Sequence, residues 1–350
     1  MTFKILILGA SYGSLLGTKL AMAGHNVTLV CRASTANLIN RDGTEVRIKL
    51  KGEDRHRAIH SGGLPGRIDA LTPERVMPAD YDLVCLAMQE PQYSAHEILT
   101  LMIRIAKAQV PCLSIMNMPP LSYLKRIHGL ETGALEKSYT NVQVWDHFNP
   151  ALMTLCSPDP QAFRPPEEKA NVLHVGLPTN FKAAVFDDES ANNMLRQLEA
   201  DVDAVQLDGK DVPVKLRVFE SLFVPLAKWS MLMTGNYRCI TDGAPISICD
   251  AVHGDLERSQ RIYDAVNALI VSLGADPADA VPFEKYAKAA ENLMKPSSAA
   301  RAVDAGAPFI ERVDLLIAAI ARTRGAAYPD FEKIVATVDS RIFENHRQTA

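Results

Sequence analysis

Two groups of residues in this 350-residue chain have types and spacings that could do chemistry. The first is the run Gly9-Ala10-Ser11-Tyr12-Gly13-Ser14-Leu15-Leu16-Gly17. Glycines placed between an apolar run and a helix pattern gather unpaired backbone N–H groups and the positive end of a helix dipole at one spot, which suits a pyrophosphate. The usual spacing is GxGxxG. Here Ser11 takes the close-approach position and the turn is one residue short, so a plain tight turn between strand and helix is the competing reading. The second group lies in 222–235 (LFVPLAKWSMLMTG), where Lys228 is the single charged side chain. A lysine with apolar neighbours that faces a cleft loses hydration, and its pKa falls toward values useful for proton transfer. Asn236, eight positions on and near the same helix face, would let an amine and an amide address one small oxygen-bearing molecule. The alternative is a lysine whose stem lies beside Trp229 while its amine reaches water.

The surrounding pattern says which elements must hold these groups. Residues 4–8 form an apolar run that ends at Gly9, a helix pattern reaches Ala23, Gly24-His25-Asn26 closes it, and 27–31 is a second buried run. This is the order and length of a βαβ unit, with a right-handed crossover and a parallel sheet expected. Dinucleotide sites that take NAD usually carry an Asp or Glu at the end of that second strand, to bond the ribose hydroxyls. This chain has Cys31-Arg32 there. A guanidinium pairs with a 2′-phosphate, so the sequence favours NADPH over NADH, against the alternative of an exposed strand-end arginine.

Strands are further expected at 46–50, 82–88 and 110–115 with a helix at 95–108, continuing a doubly wound sheet. More follow at 142–145, 172–175, 182–186 and 204–207, with a helix at 190–199. After Asp208-Gly209 strand signals nearly vanish, and helices are expected at 214–235, 251–273, 284–294, 311–324 and 329–342. The fold class is therefore α/β plus all-α: a Rossmann-type dinucleotide-binding domain over 1–208 and a helical substrate and dimerisation domain over 209–350. The cleft is expected between the carboxyl ends of the sheet and the helical domain, with Lys228 and Gly9 facing one cavity.

Composition narrows the function classes. Apolar residues make up 47% and charged residues 22%, the mix of a globular chain. Lys plus Arg number 37 against 41 Asp plus Glu, a net charge of −4, and no basic run is long enough to track a phosphate backbone, so nucleic acid is not an expected partner. The apolar stretches break well short of a membrane span, and the N-terminus has no signal-peptide pattern, which points to the cytoplasm. Six cysteines without a CxxC pair read as reduced core residues. His56 and His60 sit in a charged segment without a third ligand at suitable spacing, so no metal is expected, and His147 reads as a loop residue. Glu311 and Asp314, three apart, form either a carboxylate pair or an ion-pair set with Arg301 and Arg312.

The segment 228–243 (KWSMLMTGNYRCITDG) resembles the K-x7-N helix of the ketopantoate reductases, or 2-dehydropantoate 2-reductases, which reduce a 2-oxo acid with NADPH. The likeness runs through ILILGASYGS, the strand-end Arg32, LAMQEPQYS, SIMNMPP around Asn117, KPSSAARAVDAGAPFIERVD and RTRGAAYPD. It implies an NADP(H)-dependent oxidoreductase in which Lys228 gives a proton to the carbonyl oxygen, and it would place the chain in pantothenate biosynthesis. It also implies that Asn236 and Ser298 bind the hydroxyl and carboxylate ends of the substrate and that Glu311 holds the lysine or the substrate. Gly9, Ser11, Tyr12, Gly13, Arg32, Gln89 and Asn117 would contact the cofactor, with Asn117 near the nicotinamide ribose. Ser11, Met118, Gln89 and Leu232 depart from the family pattern. Three functions follow: reduction of a ketopantoate-like 2-oxo acid, reduction of a bulkier ketone or an imine as in opine and imine reductases, or cofactor binding without turnover. The expected partner is a small 2-oxo acid or ketone, with a homodimer plausible through Ala/Leu helix faces.

Overall fold

The computed structural model describes residues 1–349, and contacts divide the chain into two units. The first comprises Met1–Met88, Gln92–Tyr123 and Gln143–Glu220. Its strands, in chain order, are β1 (Lys4–Leu8), β2 (Asn26–Val30), β3 (Glu45–Lys49), β4 (His56–His60), β5 (Ile68–Leu71), β6 (Leu83–Leu86), β7 (Cys112–Ile115), β8 (Met153–Ser157), β9 (Gln161–Phe163), β10 (Val172–Leu177), β11 (Phe181–Ala184), β12 (Gln206–Leu207), β13 (Lys210–Asp211) and β14 (Leu216–Phe219). Eight of them form one sheet in the order β14-β11-β8-β7-β6-β1-β2-β5. Neighbours are parallel except β8 and β11.

β1 sits between β2 and β6, with Ile5 opposite Val27 on one side and Leu83 on the other. The strand order reverses between β1 and β6, and at such a point loops leaving the carboxyl ends part to leave a crevice. Ile5, Leu6, Ile7 and Leu8 are fully buried, which is why β1 reads as a continuous apolar run and not as an alternating one. The helix α1 (Gly13–Met22) follows it, and Leu15, Leu16 and Leu20 of α1 share a core with Ile5, Ile7 and with Leu195 and Leu198 of the helix Glu189–Asp203. The helix α2 (Ala33–Asp42) follows β2.

The second unit comprises Gln89–Pro91, Leu124–Val142 and the chain from Ser221 onward. Its longer helices are Ile248–His253, Leu256–Ser272, Phe283–Ala290, Ser298–Asp304, Val313–Thr323 and Pro329–Thr349. Tyr263 stacks on Tyr286 with ring centroids 5.4 Å apart, inside a core that includes Val252 and Phe283. The family-type architecture, a Rossmann-like parallel-rich sheet with a helical C-terminal part, is thus present.

Several local expectations change. The division falls after Glu220 and not at 208, because β14 extends the main sheet, with Phe181 opposite Leu216. The segment 214–235 therefore does not begin as a helix: Leu216 and Val218 are buried while Arg217 and Phe219 are half-buried, the period of a strand. The segment 46–50 is a strand, but β3 pairs with β4 and β10 in a separate four-stranded sheet. Val46 and Ile48 are buried between more exposed neighbours, so β3 has one covered face and lacks the double burial of the main sheet. The expected strand at 142–145 is the short helix Gln143–Asp146, where Trp145 is buried edge-on to Tyr93 at 5.4 Å. The expected helix 251–273 is broken at Gly254, and the Asp255 carboxylate accepts from the Arg258 amide (2.9 Å) to start the second piece.

All six cysteines are free thiols, with Cys31 and Cys249 half-buried and the others buried. Among the described residues no helix is long and apolar enough to cross a membrane, and no cluster of three or more His, Cys, Asp or Glu could hold a metal ion.

Candidate active site

The glycine turn closes β1 against β6. Gly9 has φ +106°, in the region that favours glycine, and a Cβ there would lie 2.6 Å from the Ala87 carbonyl oxygen. Its amide donates to Val30 O (3.1 Å), and its carbonyl accepts from the Gly13 amide (3.1 Å). A Cβ on Gly13 would fall 2.5 Å from Ile7 Cγ2, so Gly13 does the close helix-to-strand packing usually given to the third glycine of the fingerprint. That explains why the turn can be one residue short. Ser11 is exposed between them. Among the described residues no acceptor is bonded to the amides of Ala10, Ser11 and Tyr12, which precede the ten-residue α1. Three free donors at a helix start are a place for an anion.

Tyr12 is a different case from its neighbours. Its hydroxyl donates to Pro160 O (2.7 Å) and its ring meets Phe181 edge-on, so the side chain is turned into the unit and its backbone amide is what remains for a ligand. Burial, reinforced by Cys156 and Asp159, raises its phenol far above the ordinary range and keeps it a neutral donor. Arg32 is the N-cap residue of α2, exposed, with no ion pair or hydrogen bond of its side chain among the described residues. Asn117 is half-buried just past β7, and Met118 beside it is buried.

In the second unit the chain from Val224 passes through four helical geometries. Val224–Ala227 is 3₁₀, Lys228–Met231 is α, Leu232–Asn236 is π and Tyr237–Cys239 is 3₁₀. In a regular α-helix, at about 100° per residue, Asn236 would stand about 80° around from Lys228. A π segment turns less at each residue, and so carries Asn236 back toward the Lys228 side. The π segment goes with a contact distant in sequence: Gly235 has no Cβ to block the Tyr286 hydroxyl, which donates to Met231 O at 3.1 Å. Lys228 and Asn236 are both half-buried. The Asn236 carbonyl accepts from Ser297 Oγ (2.7 Å), whereas its side-chain amide has no protein hydrogen bond among the described residues.

Glu311 precedes the helix Val313–Thr323 instead of opening it, and its side chain is buried. Tyr237 fixes it from behind: the tyrosine hydroxyl donates to Glu311 O (2.5 Å) and accepts from the Val313 amide (2.9 Å). Burial, with the Asp314 and Glu311 charges nearby, holds that phenol well above its ordinary pKa. Glu311 Oε1 accepts from the Glu90 amide (3.3 Å). Glu90 is itself buried, and its carboxylate accepts from the Thr140 amide (3.1 Å) and hydroxyl (2.8 Å). Asp314 does not pair with Glu311 as a shared-face carboxylate. It is fully buried against Arg312 (2.9 Å), which also reaches Asp339 (2.6 Å).

The structure thus brings Glu311 together with Glu90, Tyr237 and Thr140. Those three were not singled out from the sequence, although Glu90 lies inside LAMQEPQYS and Tyr237 follows Asn236 directly. Ser298 is exposed, and its hydroxyl accepts from Arg301 (3.2 Å); its neighbour Ser297 is the one held against Asn236. Gln89 is exposed.

Residues 5–117 match the model of the family described as ketopantoate reductase PanE/ApbA. The N-terminal third of the chain is thus similar to the ketopantoate reductase family. No curated protein matches the chain in sequence. Among solved structures it is similar to the 2-dehydropantoate 2-reductase of Methylococcus capsulatus, at 13% identity and TM-score 0.68, over 98% of this chain and 97% of that one. It is also similar to the PanE/ApbA family ketopantoate reductase of Ralstonia eutropha JMP134, at 14% identity and TM-score 0.59, over 98% and 99%. A D-mandelate dehydrogenase solved with NADH and anilino(oxo)acetate has 12% identity and TM-score 0.65, over 98% and 99%. At these identities the likeness is one of fold, and it extends the ketopantoate reductase architecture beyond the segment the family model covers.

Proposed function

We propose that the protein is an NADPH-dependent reductase of a ketopantoate-like 2-oxo acid, forming the 2-hydroxy acid with Lys228 as general acid. The observation that carries this reading is the run from Lys228 to Asn236, in which a π segment turns a half-buried amide without protein partners toward the side of a half-buried lysine. The match of residues 5–117 to the ketopantoate reductase family model, and the solved 2-dehydropantoate 2-reductase and D-mandelate dehydrogenase of the same fold, support the reaction class.

The residues present fit a dinucleotide: Gly9 and Gly13 let the turn pack directly on Ala87 and Ile7, where a Cβ would clash, and the amides of 10–12 have no acceptor among the described residues. Gly9, Gly13 and the amides of Ser11 and Tyr12 would hold the pyrophosphate, Arg32 the 2′-phosphate, and Gln89 and Asn117 the nicotinamide half. When bound, the nicotinamide supplies the hydride for the carbonyl carbon. Lys228 holds a proton at Nζ, gives it to the carbonyl oxygen, and offsets the negative charge growing there. Asn236 bonds the hydroxyl end of the substrate and Ser298 the carboxylate end. Glu311, fixed by Tyr237 and by the Glu90 amide, positions the lysine or the substrate.

NADPH oxidation by the purified chain against a panel of 2-oxo acids, ketones and imines tests the reading. A 2-oxo acid should give the highest kcat/KM. A preference for imines or simple ketones, or no turnover with any of them, would refute it.

A further inference from the structure

The helix Phe283–Ala290 carries Tyr286, which is buried and stacks on Tyr263 with ring centroids 5.4 Å apart and 19° between the planes. Tyr263 is itself anchored, its hydroxyl donating to Val281 O at 2.8 Å. The Tyr286 ring is thus held from one side, and its hydroxyl reaches the chain that runs from Lys228 to Asn236. It donates to Met231 O at 3.1 Å, and a Cβ on Gly235 would lie 2.1 Å from it. In an α-helix Met231 O would take the amide of Gly235, four positions on. The hydroxyl stands at both ends of that interval, and the bond from the Tyr237 amide to Leu232 O spans five positions. A side chain inserted into the i→i−4 ladder is a known cause of a local change in helix geometry. Burial raises the Tyr286 phenol, so the hydroxyl keeps its proton at neutral pH and stays a donor.

An i→i+5 ring holds one residue more than an α ring, so a side chain beyond it is set back around the helix axis. Asn236 ends the π segment and takes that change in direction. Its backbone is pinned there, because its carbonyl accepts from Ser297 Oγ at 2.7 Å, while its side-chain amide has no protein hydrogen bond among the described residues. We propose that Tyr286 is a positioning residue for substrate binding: by holding Met231 O and filling the space over Gly235, its hydroxyl maintains the π segment and so aims the Asn236 amide toward the Lys228 side. The proposal rests on the reading above, in which Asn236 bonds the substrate, and adds a residue that acts through Asn236.

Steady-state kinetics of the full chain with NADPH and its best 2-oxo acid tests this in the unmodified protein, Y286F, N236A and the double variant Y286F/N236A. Y286F should raise KM by about two- to tenfold, the worth of one neutral hydrogen bond, with kcat within about twofold. In the N236A background it should change KM by less than about 1.5-fold, since a residue acting through Asn236 then has nothing left to aim. A crystal structure of Y286F should show 231–236 as regular α-helix. Equal rises in KM in both backgrounds, or a π segment retained in Y286F, would overturn the proposal. A KM raised by N236A and unmoved by Y286F sinks it alone, with the substrate role of Asn236 standing. N236A without effect on KM removes that role and the proposal with it. Should Y286F not fold, G235A breaks the contact from the other side, its Cβ meeting the hydroxyl, and the same kinetic comparison in the two backgrounds decides.

Discussion

The backbone amide of Glu90 donates to Oε1 of Glu311 at 3.3 Å, joining residues 221 positions apart. Both side chains are buried, and two buried carboxylates are tolerated where each has donors. Glu90 draws on Thr140, and Glu311 is held by the Glu90 amide at one end and, through its carbonyl, by Tyr237 at the other.

Thr140→Val should therefore destabilise the protein by about 1–3 kcal/mol, since it removes the hydroxyl from a buried carboxylate and keeps the side-chain shape. Denaturant unfolding of the two forms would show this as a lower midpoint at unchanged slope. A change below about 0.5 kcal/mol, the ordinary range for surface substitutions, would mean the hydroxyl is dispensable.

Asn236→Ala should raise the substrate KM by about tenfold with a much smaller change in kcat, because an amide that bonds the hydroxyl end binds ground and transition states alike. Steady-state kinetics on the best substrate of the panel separates the two parameters. A large fall in kcat at constant KM would assign Asn236 to the reacting centre instead.

How much of this was legible in the sequence depended on how local each cause is. β1, the glycine turn and β2 follow from neighbours within thirty residues, and the double burial of Ile5–Leu8 writes itself as an unbroken apolar run. The π segment could not be read, because it depends on the hydroxyl of Tyr286, 55 positions from the carbonyl it bonds. β3 reads as a strand, but nothing in its alternation says that it pairs with β10 instead of joining the main sheet. The residues around Trp145 are β-formers by type, yet packing on Tyr93 makes them helical. Lys228 and Asn236 were visible as a lone charge and a lone amide in apolar surroundings, whereas Glu90 looks like any surface glutamate until the fold buries it.

A pH effect should come from Lys19, which is buried on α1 with its ammonium donating to Val212 O at 2.8 Å. Burial first, and then the charge of Lys215, lowers its pKa to about 7, against a partial offset from Asp211 and Asp203. In the unfolded chain the lysine stays protonated up to about 10.4. Between these values the unfolded state binds the extra proton, so this residue makes stability rise with pH above 7, while below 7 both states are protonated and the contribution is flat. Relative to Lys19→Met, the unmodified protein should gain up to about 1.4 kcal/mol per pH unit between pH 7 and 8.5. Parallel stability curves for the two proteins over that window would contradict the lowered pKa.

The central claim is that Lys228 supplies the proton, and single-turnover kinetics of Lys228→Ala with NADPH and the best substrate measures it most directly. General acid catalysis is typically worth 10²–10⁴-fold and charge stabilisation adds to it, so the rate of the chemical step should fall by at least about a hundredfold while the Kd for NADPH changes little. A chemical step within a fewfold of normal in Lys228→Ala would contradict the account, because the proton would then come from another group.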